Sequence, residues 1–295
     1  MHFLAIIEHS ATANLFFLKS NNLYRIYCGD FRLLETMDPF IHRNINSEST
    51  TLQPIEEYDT LIHMAGCAVF IDCTGKFFNT AVQDIKKESA IGVDSKVAFG
   101  HQHEVTLLSI STQTRVYQFD ILKLGMAAFD NGLRSILEGK IQKVIHNSRP
   151  LASCLNHKCL VKLANVFDTQ VGELMIEKNF CGEFPQYMCS LTECIKVFLG
   201  LPIDRVQFNN DDKVMWMKRP LSRSLKISAA QNAVFLLPLQ KCIKTKMLSS
   251  LMQQGTNIFR KMVRDENNEE AIQHVGRNHL VPRKFLQLEY PGKHL

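Results

Sequence analysis

The sequence predicts an α/β fold, a mixed sheet flanked by helices, with a small β unit in front of it. Three observations carry this. Strand-like runs follow one another at Ala90–Asp94, Val105–Ile110 and Arg115–Asp120. Helical and strand patterns then alternate through 126–137, Lys143–Ile145 and Val161–Phe167. Short apolar segments before residue 55 are set off from the rest by the polar stretch HRNINSESTTLQ, 42–53.

The elements follow in order. Phe3–Ile7, Leu15–Leu18 and Leu23–Tyr27 are short apolar runs, and Asn21-Asn22 makes a turn between the last two. They predict a small antiparallel β domain over 1–55. From Tyr58 the pattern changes, and Phe77, Ala81, Val82 and Ile85 recur at helical spacing over Lys76–Glu88. Met126, Phe129, Leu133, Ile136 and Leu137 share one helical face. From Leu191 the chain reads as mostly helical. Its longest helix runs from Ile227 to Arg264, with breaks expected near Pro238 and Gly255. The second domain thus spans 56–264, and 265–295 reads as a loose polar tail with Pro282 and Pro291.

Composition excludes several classes. Hydrophobic residues at 45% and charged residues at 21% are globular values, which argues against bulk disorder. No run approaches the roughly 18 apolar residues of a membrane span, and no membrane partner is expected. The start, MHFLAIIEHS, has no basic residue before its apolar stretch, so no secretory signal is expected. Nine dispersed cysteines without framework spacing predict reduced thiols, as in cytosol or nucleus.

The net charge of +5 hides a segregation. Between Lys213 and Arg264 there is no acid. The same window holds Lys213, Lys218, Arg219, Arg223, Lys226, Lys241, Lys244, Lys246, Arg260, Lys261 and Arg264, so it carries +11 against −6 for the remainder. One sign of charge on a helical region projects a field that gathers phosphate backbones. It also suits a solvated basic face that only balances acidic surface elsewhere. Trp216 and Phe235, aromatics interleaved in this window, are too few for a base-stacking platform and are expected in the core.

Other constellations carry less. Cys154, His157 and Cys159 have a spacing that does not gather three ligands on a helix. His101 and His103 fall in a polar hairpin, GHQHE. Cys181, Cys189 and Cys194 read as buried or incidental thiols. No Ser/His/Asp or Cys/His nucleophile motif and no phosphate-cradling glycine loop is present. Met126, Met247, Met252 and Met262, with the stripes Ile195/Phe198/Leu199 and Leu248/Leu251/Met252, are expected in core or interface packing.

Four segments in order resemble one family, the 3′–5′ exonucleases of the ribonuclease D type: AIGVDSK (Ala90–Lys96), KVIHNSR (Lys143–Arg149), NVFDTQV (Asn165–Val171) and ISAAQNAVFLLPL (Ile227–Leu239). The spacer WMKRPLS, Trp216–Ser222, is similar too. The resemblance implies a ribonuclease H-like exonuclease fold. It also implies two-metal phosphodiester hydrolysis, in which two divalent cations about 3.5–4 Å apart clamp the attacking and leaving oxygens. Four carboxylates hold those ions in the family, and a tyrosine helps to orient the attacking water.

The chain departs from that pattern. Asp94 matches the first carboxylate, and Lys96 stands where a glutamate belongs. Leu151 stands at the third acid, Asn232 at the fourth and Ser228 at the tyrosine. The matching positions offer no net negative charge, so neither metal nor cofactor is expected. Lys96 is expected to pair with Asp94 and replace the charge a metal supplied. Asp168 reads as a helix-start acid rather than a ligand.

Within this group the chain most resembles the exonuclease-domain-containing-1 family. That resemblance implies an Sm-like N-terminal unit and a decayed active site. It further implies an RNA-binding adaptor of the piRNA pathway, a homodimer working with Tudor-domain and PIWI proteins in germline cytoplasmic granules. Lys96, Lys213, Lys218, Arg219, Arg223, Lys226, Lys241, Lys244 and Lys246 are the expected phosphate contacts. Two other readings stay open: a protein scaffold that does not bind RNA, and an active exonuclease with an unrecognised acid set.

Overall fold

The computed structural model describes residues 16–20, 23–28, 32–34, 55–98, 104–201 and 213–264. The chain divides into two compact units, Met1–Leu52 and Gln53–Leu295. In the first, β1 (Phe16–Ser20), β2 (Leu23–Cys28) and β3 (Arg32–Leu34) form an antiparallel meander. Ser20 pairs with Leu23 at the end of the β1–β2 ladder, and the turn expected at Asn21-Asn22 lies outside the described residues. The run Phe3–Ile7 lies outside the described residues, as do His101, His103 and the tail 265–295.

The second unit is a mixed six-stranded sheet flanked by helices. Its strands are β4 (Val69–Ile71), β5 (Ala90–Ala98), β6 (Glu104–Ser111), β7 (Val116–Phe119), β8 (Gln142–Ile145) and β9 (Val166–Asp168). Their order is β4-β7-β6-β5-β8-β9. β6 runs antiparallel to both its neighbours, and β4–β7, β5–β8 and β8–β9 are parallel. The antiparallel ladders come from the three consecutive strands that the sequence shows. The parallel pairs need helical crossovers, and the alternating segments supply them.

Two faces of β5 meet different layers. Ile91 and Val93 point into the main core, with Phe78, Val82 and Ile85 of α2 (Lys76–Lys86) and Leu151 and Leu155 of α3 (Arg149–Cys159). Gly92, Asp94 and Lys96 point to the other face. There α6 (Arg223–Val234) lies against the sheet, backed by α1 (Ile55–Gly66), with Tyr58 stacked on Phe235 at 6.2 Å. A Cβ on Gly92 would come within 2.5 Å of the Ala233 carbonyl and would also collide with Ser111 Oγ. That absent side chain lets α6 sit close to β5.

Three sequence expectations change. The helix over 126–137 is broken, with turns at Ile121–Leu124 and Met126–Ala128 and a wide turn at Phe129–Leu133. Gly132 there has φ 145 and faces Val82, so a side chain fits neither the backbone nor the space. The strand expected at Val161–Phe167 is only Val166–Asp168, because α3 runs to Cys159 just before it. The long C-terminal helix breaks at Phe235, and α7 (Leu236–Arg264) then runs unbroken through Gly255. Pro238 falls in the first turn of α7, where its missing N–H breaks no helical hydrogen bond.

α4 (Thr169–Cys181) and α5 (Leu191–Leu199) complete the layer beside α7. Ile195, Phe198 and Leu199 are buried as expected, but Leu248 and Met252 on α7, and Met126, are exposed. Lys143 on β8 is buried, and its ammonium donates to the carbonyls of Ile136 (3.3 Å) and Gly139 (2.8 Å) at the end of the preceding helical segment.

Candidate functional site

Asp94 and Lys96 share a face of β5 because side chains alternate along a strand. Their charged ends meet: Lys96 Nζ lies 2.8 Å from Asp94 Oδ2, and both side chains are 16% exposed. The approach is that of an ion pair rather than a directed hydrogen bond. Asn232 on α6 donates from Nδ2 to Asp94 Oδ1 at 3.2 Å. Lys96 Nζ also lies 5.3 Å from the centre of the Trp216 ring, an added cation–π contact. Ser228 sits one helical turn before Asn232. Leu151 on α3 is 1% exposed and belongs to the core.

Hard cations take anionic oxygen. The site offers one carboxylate, already matched by an ammonium and an amide. It does not fit two metal ions.

Beside Asp94 opens a cleft of about 360 Å³. It arises from the sheet register: β5 pairs with β8 only through Gly92–Val144 and runs on past it. The chain leaving β8 then lines the gap with Ile145, His146 and Asn147, joined by Gln170 and Ser190. Asn147 has φ 55, a left-handed turn that a short polar side chain tolerates. Asp168 fixes this wall. Its carboxylate accepts from the backbone N–H of Asn147 (3.0 Å), Ser148 (2.7 Å) and Gln170 (3.0 Å). It caps α4, as the sequence predicts, and ties the start of α3 to it. His146 Nε2 donates to the Cys189 carbonyl at 3.0 Å, and its Nδ1 meets Thr169 Oγ1 at 3.0 Å.

Cys154, Cys159, Cys189 and Cys194 are buried, while Cys181 is exposed. Hydrogen bonding with Cys194, then burial, push the Cys189 thiol far above its ordinary range, which keeps it protonated and un-nucleophilic. His157 does not join Cys154 and Cys159 in any metal-holding cluster among the described residues.

The basic window does not form one face. Arg219 has a structural place instead. Its Nε donates to Asp120 Oδ2 (2.7 Å) and its Nη2 to Asp120 Oδ1 (2.8 Å) and the Thr106 carbonyl (3.0 Å). Its Nη1 donates to the carbonyls of Trp216 (2.8 Å) and Lys218 (2.9 Å). Five N–H donors meet five acceptors, so Arg219 leaves the set of phosphate contacts. Lys96 is likewise occupied by Asp94. Lys226 lies 3.6 Å from the centre of the Phe70 ring on β4, and Lys246 lies 4.8 Å from that of Phe198.

Lys244 bonds Gln142 Oε1 on β8 at 3.0 Å. β4 and β8 stand four strand steps apart, roughly 19 Å. A charge run continuous in sequence is therefore split in space. Lys218, Arg223, Lys241, Lys244 and Arg260 remain exposed. The side chains of Lys213, Lys261 and Arg264 lie outside the described residues.

Sequence reasoning missed Asp120 and Arg149. Asp120 lies 99 positions from Arg219, beyond any local pattern. Arg149 was visible only as part of KVIHNSR.

Comparison with known proteins places these observations. The 3′–5′ exonuclease family matches residues 73–248. The piRNA biogenesis protein EXD1 of Bombyx mori is 35% identical over 219 residues, which are 74% of this chain and 69% of that protein. The Homo sapiens protein of the same name is 36% identical over 184 residues, 59% of this chain but only 36% of that protein. The chain thus spans about a third of the human relative.

Solved structures share the fold at low identity. The catalytic core of RRP6 from Trypanosoma brucei has a TM-score of 0.51 at 21% identity, covering 78% of this chain and 62% of that one. Escherichia coli RNase D has a TM-score of 0.50 at 17% identity, covering 74% and 56%. With a matching exonuclease domain and a relative covered over most of its length, the chain belongs to the EXD1 family, on an RNase D-like fold.

Proposed function

We propose that this chain is a non-cleaving RNA-binding adaptor in piRNA biogenesis, the process named for its relatives. One observation carries the reading: the ammonium of Lys96 occupies the carboxylate of Asp94, where the ribonuclease D resemblance calls for two cations held by acids. Without metals, the attacking water and the leaving oxygen lack the charge that drives hydrolysis. A pseudo-site that is electrically neutral also no longer repels a phosphate chain. The exposed cations Lys218, Arg223, Lys241 and Lys244 then hold the backbone with little base preference. The family resemblance extends the proposal to a homodimer with Tudor-domain and PIWI partners in germline cytoplasm. Among the described residues no helix is long and apolar enough to cross a membrane.

A gel shift and a 3′-trimming assay on one preparation, with magnesium or manganese, test this directly. Retarded but untrimmed RNA is expected. Affinity should fall with salt by roughly 0.7 log units per log unit for each single-strand phosphate held. Trimming abolished by Asp94→Ala would overturn the reading.

The split of the basic run favours a second reading, a protein scaffold. A partner pull-down that survives nuclease, with no RNA shift, would support it.

A further inference from the structure

The segment between α4 and α5, 182–190, holds large apolar side chains outside the core. Tyr187 is 75% exposed, Phe184 56% and Met188 46%. The segment is nonetheless firmly seated. The carbonyl of Cys189 accepts from His146 Nε2 (3.0 Å) and from Gln170 Nε2 (2.9 Å). Ser190 caps α5 in a capping box with Glu193, whose carboxylate accepts the Ser190 N–H at 2.7 Å. The apolar side chains are therefore presented by an anchored rim.

That rim adjoins the cleft. Asn147 and Ser190 line the cleft, and Arg149 links the cleft wall at Asn147 to the rim at Met188. Its Nε donates to Asn147 Oδ1 (3.0 Å), and its Nη2 reaches Met188 Sδ (3.9 Å). At the far end Lys178 Nζ lies 4.7 Å from the centre of the Phe184 ring. Exposed flat rings thus stand between two cations, next to a polar cleft. Glu183 is the one acid in the segment.

We infer that this rim stacks unpaired nucleobases of a single-stranded RNA, with Tyr187 and Phe184 as the platforms and Arg149 holding a phosphate or base edge. Every base has a π face, so aromatic platforms bind single strands without reading sequence. A guanidinium matches both phosphate geometry and ring stacking. An aliphatic protein ligand would use the apolar surface but leave both flanking cations unmatched. This deepens, and rests on, the RNA-holding reading above.

The test uses the full chain and a twelve-nucleotide oligouridylate carrying one 2-aminopurine near its 3′ end. Stacking should quench the 2-aminopurine on binding. Tyr187→Ala should remove the quench and weaken binding about 5- to 100-fold, while Tyr187→Phe keeps both. The salt slope should stay as in the wild type, because no phosphate contact is lost. A Phe184→Ser variant should act in the same direction. The same strand in a duplex should show no change in quench. If Tyr187→Ala binds and quenches as the wild type does, the rim proposal falls while RNA holding stands. If the wild type binds no RNA, both fall.

Discussion

Lys96 Nζ stands 2.8 Å from Asp94 Oδ2, two residues away on the same face of β5, with Asn232 closing the other carboxylate oxygen. The pair is largely removed from water, so breaking it leaves a charge with poor compensation. Lys96→Met should cost about 2–3 kcal/mol, below the roughly 3–5 kcal/mol of fully buried pairs because of the residual exposure. The double variant Lys96→Met/Asp94→Asn should cost clearly less than the two singles together. Denaturant unfolding of the four proteins reads this coupling.

Lys96→Glu should not rebuild a metal site. It would put two carboxylates on one face but leave Leu151 and Asn232 as they are. Titration calorimetry should show no tight magnesium or manganese binding, and melting temperature should drop. A strong heat of binding with restored trimming would contradict the fit argument.

Arg219 and Asp120 form a bidentate pair with Asp120 fully buried. Arg219→Ala should lose about 3–5 kcal/mol. Arg219→Lys should lose much of that as well, because an ammonium cannot meet five fixed acceptors. If Arg219→Lys unfolds at wild-type denaturant, the fork geometry is unimportant.

Burial lowers the Lys143 ammonium to about 8 from an ordinary value of 10.5. Below pH 8 both folded and unfolded chains carry the proton, and the burial penalty applies in full. Between pH 8 and 10.5 only the unfolded chain keeps it, so stability rises with pH through that window. The gain is on the order of 3 kcal/mol, and it levels off above the unfolded value. Lys143→Met should flatten this part of the pH–stability profile.

Gly92→Ala would push a methyl into the Ala233 carbonyl and Ser111 Oγ, whose mutual hydrogen bond is 2.7 Å. The cost should be about 1–3 kcal/mol. Because α6 also carries Asn232, the Asp94–Asn232 contact should loosen, visible as faster amide exchange in α6.

Much of the fold was legible because periodicity is local. The strands β5 to β7 and the helix α2 each announce themselves within a dozen residues. The face shared by Asp94 and Lys96 followed from strand alternation alone, and Asp168 from its place before a helix. Arg219 was misread because its partner Asp120 lies just after β7, 99 positions away, and charge counting sees sign but not burial. The basic window was misread as one face for the same reason: Lys226 and Lys244 belong to one acid-free run yet sit toward opposite edges of the sheet. The rim at Tyr187 was invisible, because an exposed and a buried tyrosine look alike in a sequence.

Trp216 is the only tryptophan in the sequence, and it lies against Lys96. Indole emission responds to the field of a nearby charge. The protein therefore carries a single built-in optical reporter beside the Asp94–Lys96 pair. Any event that draws Lys96 away from Asp94, such as a phosphate arriving, should shift that one emission band. The Asp94–Lys96 pair can thus be watched in the unlabelled chain.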